Sequence, residues 1–227
     1  MDSFIGPSLF VVPVVGGVPV DWQVVAAPIE FVLFDLGGVL IDPGGVEPMR
    51  QLSGLASEDE VWARWLACRW VRAFEAGQCS PEEFAAGVVA DWELSLTPAE
   101  FLDVFSGWPG TPYPGALDFV TEVRDRLPVG YLSNTNPVQW HANYAGTPVT
   151  EAFAYRFLSF ELGLVKPDRA IFDVVAGRLP VPPERVLFLD DNAVNVDAAV
   201  GAGFEARHVR RISGARAALV ETGVLRD

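Results

Sequence analysis

The sequence predicts an α/β fold: a parallel β-sheet core flanked by helices, with a small all-α domain inserted after the first strand. Two observations carry this reading. From about Ile29 onward, short apolar runs alternate with helical stretches, the pattern of buried parallel strands joined by crossover helices. Between Asp42 and Pro114 the strand signals stop and helix-start signals replace them. With 227 residues, half of them hydrophobic, the chain can bury one good-sized core and a smaller insert. The expected division is an extension over 1–28, an α/β core over 29–44 and 115–227, and a helical insert over 45–114.

In chain order, the first element is the uncharged stretch "SFIGPSLFVVPVVGGVPV". It lacks a basic leading region and is broken by Pro7, Pro13, Pro19 and the Gly16–Gly17 pair. A β-hairpin turning at Gly16–Gly17 is therefore expected, not a signal peptide or a membrane helix. Its apolar surface would suit a second copy of the chain, so a homodimer is an expectation. The candidate strands are "FVLF" (31–34), "VGYL" (129–132), "YRFLS" (155–159) and "VLFL" (186–189), with "FEARHV" (204–209) the weaker fifth. Helices are expected from about Gly115, Val138, Arg169 and Ala193, and after Ser213.

The insert opens its helices with three capping boxes: "SEDE" from Ser57, "SPEE" from Ser80 and "TPAE" from Thr97. Each places a hydroxyl at the N-cap and a Glu three residues on, and two add Pro at the first helical position. Five of the seven tryptophans lie here: Trp62, Trp65, Trp70, Trp92 and Trp108. Most are expected to form the insert's own core, with one or two left to line a pocket against the main domain.

Charge and cysteine content exclude several functions. A net charge of −14, with no basic stripe, opposes nucleic-acid binding. Cys68 and Cys79 are the only cysteines and His141 and His208 the only histidines. This excludes a cysteine-rich zinc site and a disulfide scaffold, and makes a reducing cytoplasm the expected compartment.

The chemistry is concentrated at strand ends. In an open parallel sheet, ligands bind beyond the carboxyl ends of the strands. Asp35 follows the first strand, Ser133 the second, and Asp190 with Asp191 the fourth. Lys166, in "LVKPD", is the sole lysine beside fifteen arginines, which marks a position where a compact ammonium serves and a guanidinium does not. Three carboxylates so placed would repel one another unless a hard cation shared them, and oxygen ligands suit Mg²⁺. Ser133 and the backbone N–H groups after it can donate to phosphate. A carboxylate in line with phosphorus can attack it, leaving an aspartyl-phosphate for water to clear.

The set "FDLGGVL", "LSNTN", "LVKPD" and "FLDDNAVNVDAA" resembles the haloacid dehalogenase superfamily, over about Phe31 to Val209, and most of all its small-molecule and sugar-phosphate phosphatases. The resemblance implies a Rossmann-like core, an α-helical cap and Mg²⁺-dependent hydrolysis of a small phosphorylated metabolite. It also implies that Asp35 is the nucleophile and a metal ligand, with the Gly37 carbonyl as a second ligand. Ser133 and Asn134 would hold phosphate, and Lys166 would neutralise charge. Asp191 would complete the metal site, with Asp190 as a further ligand or a support, and Asn195 would brace this last loop.

Gly37 departs from the pattern. Most phosphatases of the superfamily carry an Asp there, which protonates the leaving group and then activates water; glycine offers only its carbonyl. The superfamily's 2-haloacid dehalogenases also lack that Asp, so a dehalogenase using Asp35 is the alternative, as is a non-catalytic relative. The dehalogenases generally place a tyrosine six residues after the lysine, where this chain has Phe172, and serines where it has Asp190 and Asp191. Arg64, Arg69 and Arg72 are expected on one long insert helix with a solvated face, and His141 as a surface residue that could stand in as an acid.

Overall fold

The computed structural model describes residues 28–108 and 110–226; the expected hairpin at Gly16–Gly17 lies outside them. Five strands form one parallel sheet in the order β3-β2-β1-β4-β5: β1 Phe31–Phe34, β2 Val129–Ser133, β3 Tyr155–Leu158, β4 Val186–Asp190 and β5 Glu205–His208. The three central strands β1, β2 and β4 are fully buried because both faces are covered, whereas the edge strands β3 and β5 carry the exposed Arg156 and His208. Alternation along β1 sends Val32 and Phe34 to one side and Phe31 and Leu33 to the other.

The helices are α1 Val46–Ser53, α2 Glu58–Ala67, α3 Arg69–Glu75, α4 Pro81–Asp91, α5 Pro98–Ser106, α6 Ala116–Arg124, α7 Pro137–Gln139, α8 Pro148–Glu151, α9 Ser159–Leu162, α10 Arg169–Ala176, α11 Ala193–Gly201 and α12 Arg211–Glu221. A π-helical turn, Trp140–Tyr144, continues α7. Helices α6 and α12 cover one face of the sheet through Phe119, Val123, Ala215 and Leu219. Helices α10 and α11 cover the other through Ile171, Phe172, Val175 and Ala199. This is the doubly wound, Rossmann-like arrangement. Among the described residues, no helix is long and apolar enough to cross a membrane.

The stretch from α1 to α5 packs around its own apolar cluster, which includes Met49, Phe74, Phe84, Trp92, Phe101 and Phe105. Phe74 stacks on Phe84 with ring centroids 4.4 Å apart. The capping boxes at Ser80–Glu83 and Thr97–Glu100 are complete. At Ser57 the side chain caps Glu60 N, but the Glu60 carboxylate accepts from Ala56 N, one residue earlier than expected.

The single long insert helix expected to carry the three arginines is instead two helices. Cys68, extended at φ −75° and ψ 119°, separates α2 from α3, leaving Arg64 on the first and Arg69 and Arg72 on the second. The break turns Val71 and Phe74 into the insert's apolar cluster.

The two chain crossings between insert and core are bonded to each other. Asp42 N donates to Thr111 O at 3.1 Å, Gly110 N to Asp42 O at 3.1 Å, and Tyr113 N to Leu40 O at 2.9 Å. Together with side-chain bonds such as Asn143 Nδ2 to Ser106 O at 2.9 Å, they set the insert over the carboxyl edge of the sheet as a cap.

Candidate active site

A cavity of about 410 Å³ lies between cap and core. Its core wall holds Asp35, Gly37, Ser133, Asn134, Lys166, Asp191 and Asn195. The strand-end placements read from the sequence therefore converge, because the parallel sheet delivers the ends of β1, β2 and β4 to one edge.

Lys166 holds this edge together. Its ammonium is 2.9 Å from Asp35 Oδ1 and 2.6 Å from Asp190 Oδ2, and it donates to Leu132 O at 2.9 Å. Three donors meet three acceptors in a space that leaves the side chain 1% exposed. A planar guanidinium does not fit this set, which explains the sole lysine. Burial works against its charge, but Asp190 and Asp35 outweigh that and hold the ammonium above the ordinary lysine range.

Asp35, Asp190 and Asp191 each offer a carboxylate oxygen, all within 4.8 Å of one another. Burial pushes the Asp35 carboxyl up to about 8 against the pull of Lys166, and Asp190 and Asp191 add to the rise. Burial also raises Asp191, and negative charge on Asp190 raises it further.

The two adjacent aspartates differ sharply in surroundings. Asp190 is fully buried and takes no part in the cavity wall. Its Oδ1 accepts from Asn192 N at 2.8 Å and from Asn195 Nδ2 at 3.1 Å, while Oδ2 accepts from Lys166. Asp191 faces the cavity. Gly38 makes room for it: with φ +70°, a Cβ there would lie 2.0 Å from Asp191 Oδ2. Gly38 is thus required both by its backbone conformation and by close approach of a side chain.

Gly37 has neither restriction. A Cβ at this position would meet only Pro43 Cβ, at 3.9 Å, so a side chain could be accommodated.

The Asn134 side chain is occupied by the backbone of Lys166, accepting from its N at 2.9 Å and donating to its O at 3.0 Å. It fixes the lysine loop to the end of β2. Ser133, at the end of β2, is buried, and Thr135 N donates to the buried Ser159 Oγ at 2.9 Å, pinning the same loop.

Of the smaller sequence signals, His141 is exposed and absent from the cavity wall, so it is not placed to act as an acid. Arg64 lies over the Trp92 ring and Arg69 over the Trp70 ring, away from the cavity. Arg72 does line the cavity, where it pairs with Asp168 of the lysine loop. Trp62, Trp65 and Trp108 line it as well, more tryptophans than expected. Sequence reading missed Glu75, which enters the wall from the end of α3; only its position next to the apolar cap residues hinted at it.

A doubly wound parallel sheet, a helical cap across its carboxyl edge, and acidic groups tied to a lysine between them define a capped α/β hydrolase. The chain belongs to the haloacid dehalogenase-like hydrolases, whose family model matches residues 29–203. It is 29% identical over 186 residues to D-ribitol-5-phosphate phosphatase of Bacteroides thetaiotaomicron, covering 78% of this chain and 90% of that protein. It is 26% identical over 203 residues to an (S)-2-haloacid dehalogenase of Pseudomonas putida, covering 82% and 87%. A HAD-family enzyme of B. thetaiotaomicron solved with magnesium and inorganic phosphate has the same fold, with a TM-score of 0.65 at 23% identity over 80% of this chain and 94% of that one.

Proposed function

We propose that the protein is a magnesium-dependent phosphatase of small phosphomonoesters, working through an aspartyl-phosphate on Asp35. The observation that carries this reading is the meeting of Asp35, Asp191 and Lys166 at one cavity wall, with Ser133 beside them. The phosphatase relative, and the related fold solved with magnesium and phosphate, support it.

The donors fit a hard divalent ion: oxygen atoms only and close together, with Asp35 and Asp191 raised in pKa by burial and further by neighbouring negative charge. Asp35, Asp191 and the Gly37 carbonyl would hold Mg²⁺, which when bound neutralises charge on the carboxylates and on phosphoryl oxygens. Asp190, with its oxygens already engaged by Lys166, Asn192 and Asn195, instead positions the lysine and the β4 loop. Ser133 Oγ and the N–H of Asn134 bind phosphate, on a loop that the Thr135 N to Ser159 Oγ bond holds in place. Lys166 favours the ionised form of Asp35 against its burial and aims it, and a strand end holds that nucleophile more rigidly than a loop would.

The dehalogenase reading has relatives in its favour and Gly37 with it. It is less supported because a 2-haloacid is itself a carboxylate and would enter a wall that already carries Asp35 and Asp191. Phe172, at the position of the dehalogenases' tyrosine, is fully buried against Phe188 and Phe204 and does not reach the cavity.

The test is phosphate release from p-nitrophenyl phosphate, with Mg²⁺ and with EDTA, beside an Asp35→Asn variant and a chloride-release assay on 2-chloropropionate. Metal-dependent turnover lost in the variant is expected. Chloride release without phosphate release would replace this reading with the dehalogenase one.

A further inference from the structure

Gly37 leaves the proposed reaction without an acid for the leaving group, and the cap supplies one. Twelve residues of the cap stretch line the cavity, and most are apolar, among them Met49, Trp62, Trp65 and Trp108. Arg72 and Glu75 are the only charged side chains among them, and Arg72 is already paired with Asp168. Glu75 is therefore the one acid that the cap presents to the cavity among the described residues.

Its side of the cavity is the relevant one. In an in-line displacement the leaving oxygen departs opposite the nucleophile. Asp35 attacks from the sheet, so that oxygen is expelled toward the cap wall where Glu75 lies. We infer that Glu75 is the general acid of this enzyme, taking the part that an Asp at position 37 plays in related phosphatases. The inference rests on the phosphatase reading above.

The surroundings suit the task. Burial raises the Glu75 carboxyl to about 7, while the charges of Lys166 and Arg72 and the Asn134 amide pull it back. A substantial fraction is thus protonated near neutral pH, where an ordinary Glu is ionised. A phosphate dianion in the cavity would hold the proton more firmly still.

The step balances. An Asp35 oxygen forms a bond to phosphorus as the bond to the ester oxygen breaks. That oxygen keeps the electron pair and takes the Glu75 proton, leaving as the alcohol. Water then attacks phosphorus and gives its proton to the Glu75 carboxylate. Inorganic phosphate departs, and Asp35 is restored.

The test compares Glu75→Gln with the wild type on an alkyl phosphate and on p-nitrophenyl phosphate, whose leaving group needs little protonation. General acid help is worth about 10²–10⁴-fold, so the alkyl rate should fall by roughly 10²-fold or more, and the p-nitrophenyl rate far less. The wild-type alkyl rate should decline above about pH 7 as Glu75 loses its proton, a limb absent from the variant. Because position 37 has room for a side chain, adding Gly37→Asp to the variant should recover alkyl turnover. Equal losses on both esters, or no loss on either, would overturn the role of Glu75 while leaving the phosphatase reading intact. A wild type inactive on every phosphate ester would overturn both.

Discussion

Replacing Lys166 with methionine tests how the carboxylate cluster is held, because the unbranched side chain is shortened by one atom and loses its charge and donors. At an effective dielectric near 20, contacts of 2.9 and 2.6 Å are each worth about 6 kcal/mol of gross attraction. Withdrawing the three charges from water offsets most of that. The variant keeps the desolvation and loses the attraction, leaving Asp35 and Asp190 buried with no cation and Leu132 O with no donor. Breaking a buried pair in this way costs about 3–5 kcal/mol, on the order of 10 °C in melting temperature for a chain of this size.

The deficit should depend on pH. Asp35 already titrates far above its unfolded value, at about 8, and losing Lys166 pushes it higher. A group raised in the folded state favours folding while it is protonated, and that contribution is lost as pH rises through its folded pKa. The gap between variant and wild type should therefore be nearly constant below about pH 7, where both hold Asp35 protonated, and should widen as pH rises through about 8, where only the wild type ionises it readily. Thermal melts followed by tryptophan fluorescence read this directly. Equal melting temperatures at the higher pH, or a gap that does not change with pH, would refute the account of a lysine-neutralised cluster.

Two further outcomes follow from the same geometry. Gly38→Ala places a Cβ against Asp191 Oδ2 and forces a side chain into a left-handed backbone conformation costing about 1–2 kcal/mol. Titration calorimetry should show Mg²⁺ affinity at least about tenfold weaker, and an unchanged affinity would contradict the assignment of Asp191. The neighbouring pair should separate by readout. Asp191→Asn is expected to weaken Mg²⁺ binding with little change in melting temperature. Asp190→Asn, which loses the charge facing Lys166, is expected to lower the melting temperature as well as turnover. Identical behaviour of the two would show that both aspartates do one job.

Much of the molecule was legible along the chain because the signals are local. The five strands lie within a residue or two of the expected ones, and for β1, β2 and β4 this is because a strand buried on both faces needs little more than continuous apolar, β-branched and aromatic residues. The boxes at Ser80 and Thr97 formed because their partners lie three residues away. Asp35, Ser133 and Asp191 could be brought together from sequence because a parallel sheet delivers its carboxyl ends to one edge, whereas Lys166 stood out as the sole lysine. Tertiary structure decided the rest. Cys68 breaks what reads as one helix, because the insert's apolar cluster draws in Val71 and Phe74. Asp190 and Asp191 look equivalent in sequence, but successive residues at a strand end point opposite ways, so one is locked under Lys166 and the other faces the cavity. Glu75 is an ordinary helix-end glutamate by composition. Only the folding of the cap over the sheet brings it to the cavity that Asp35 also lines, where burial raises its carboxyl.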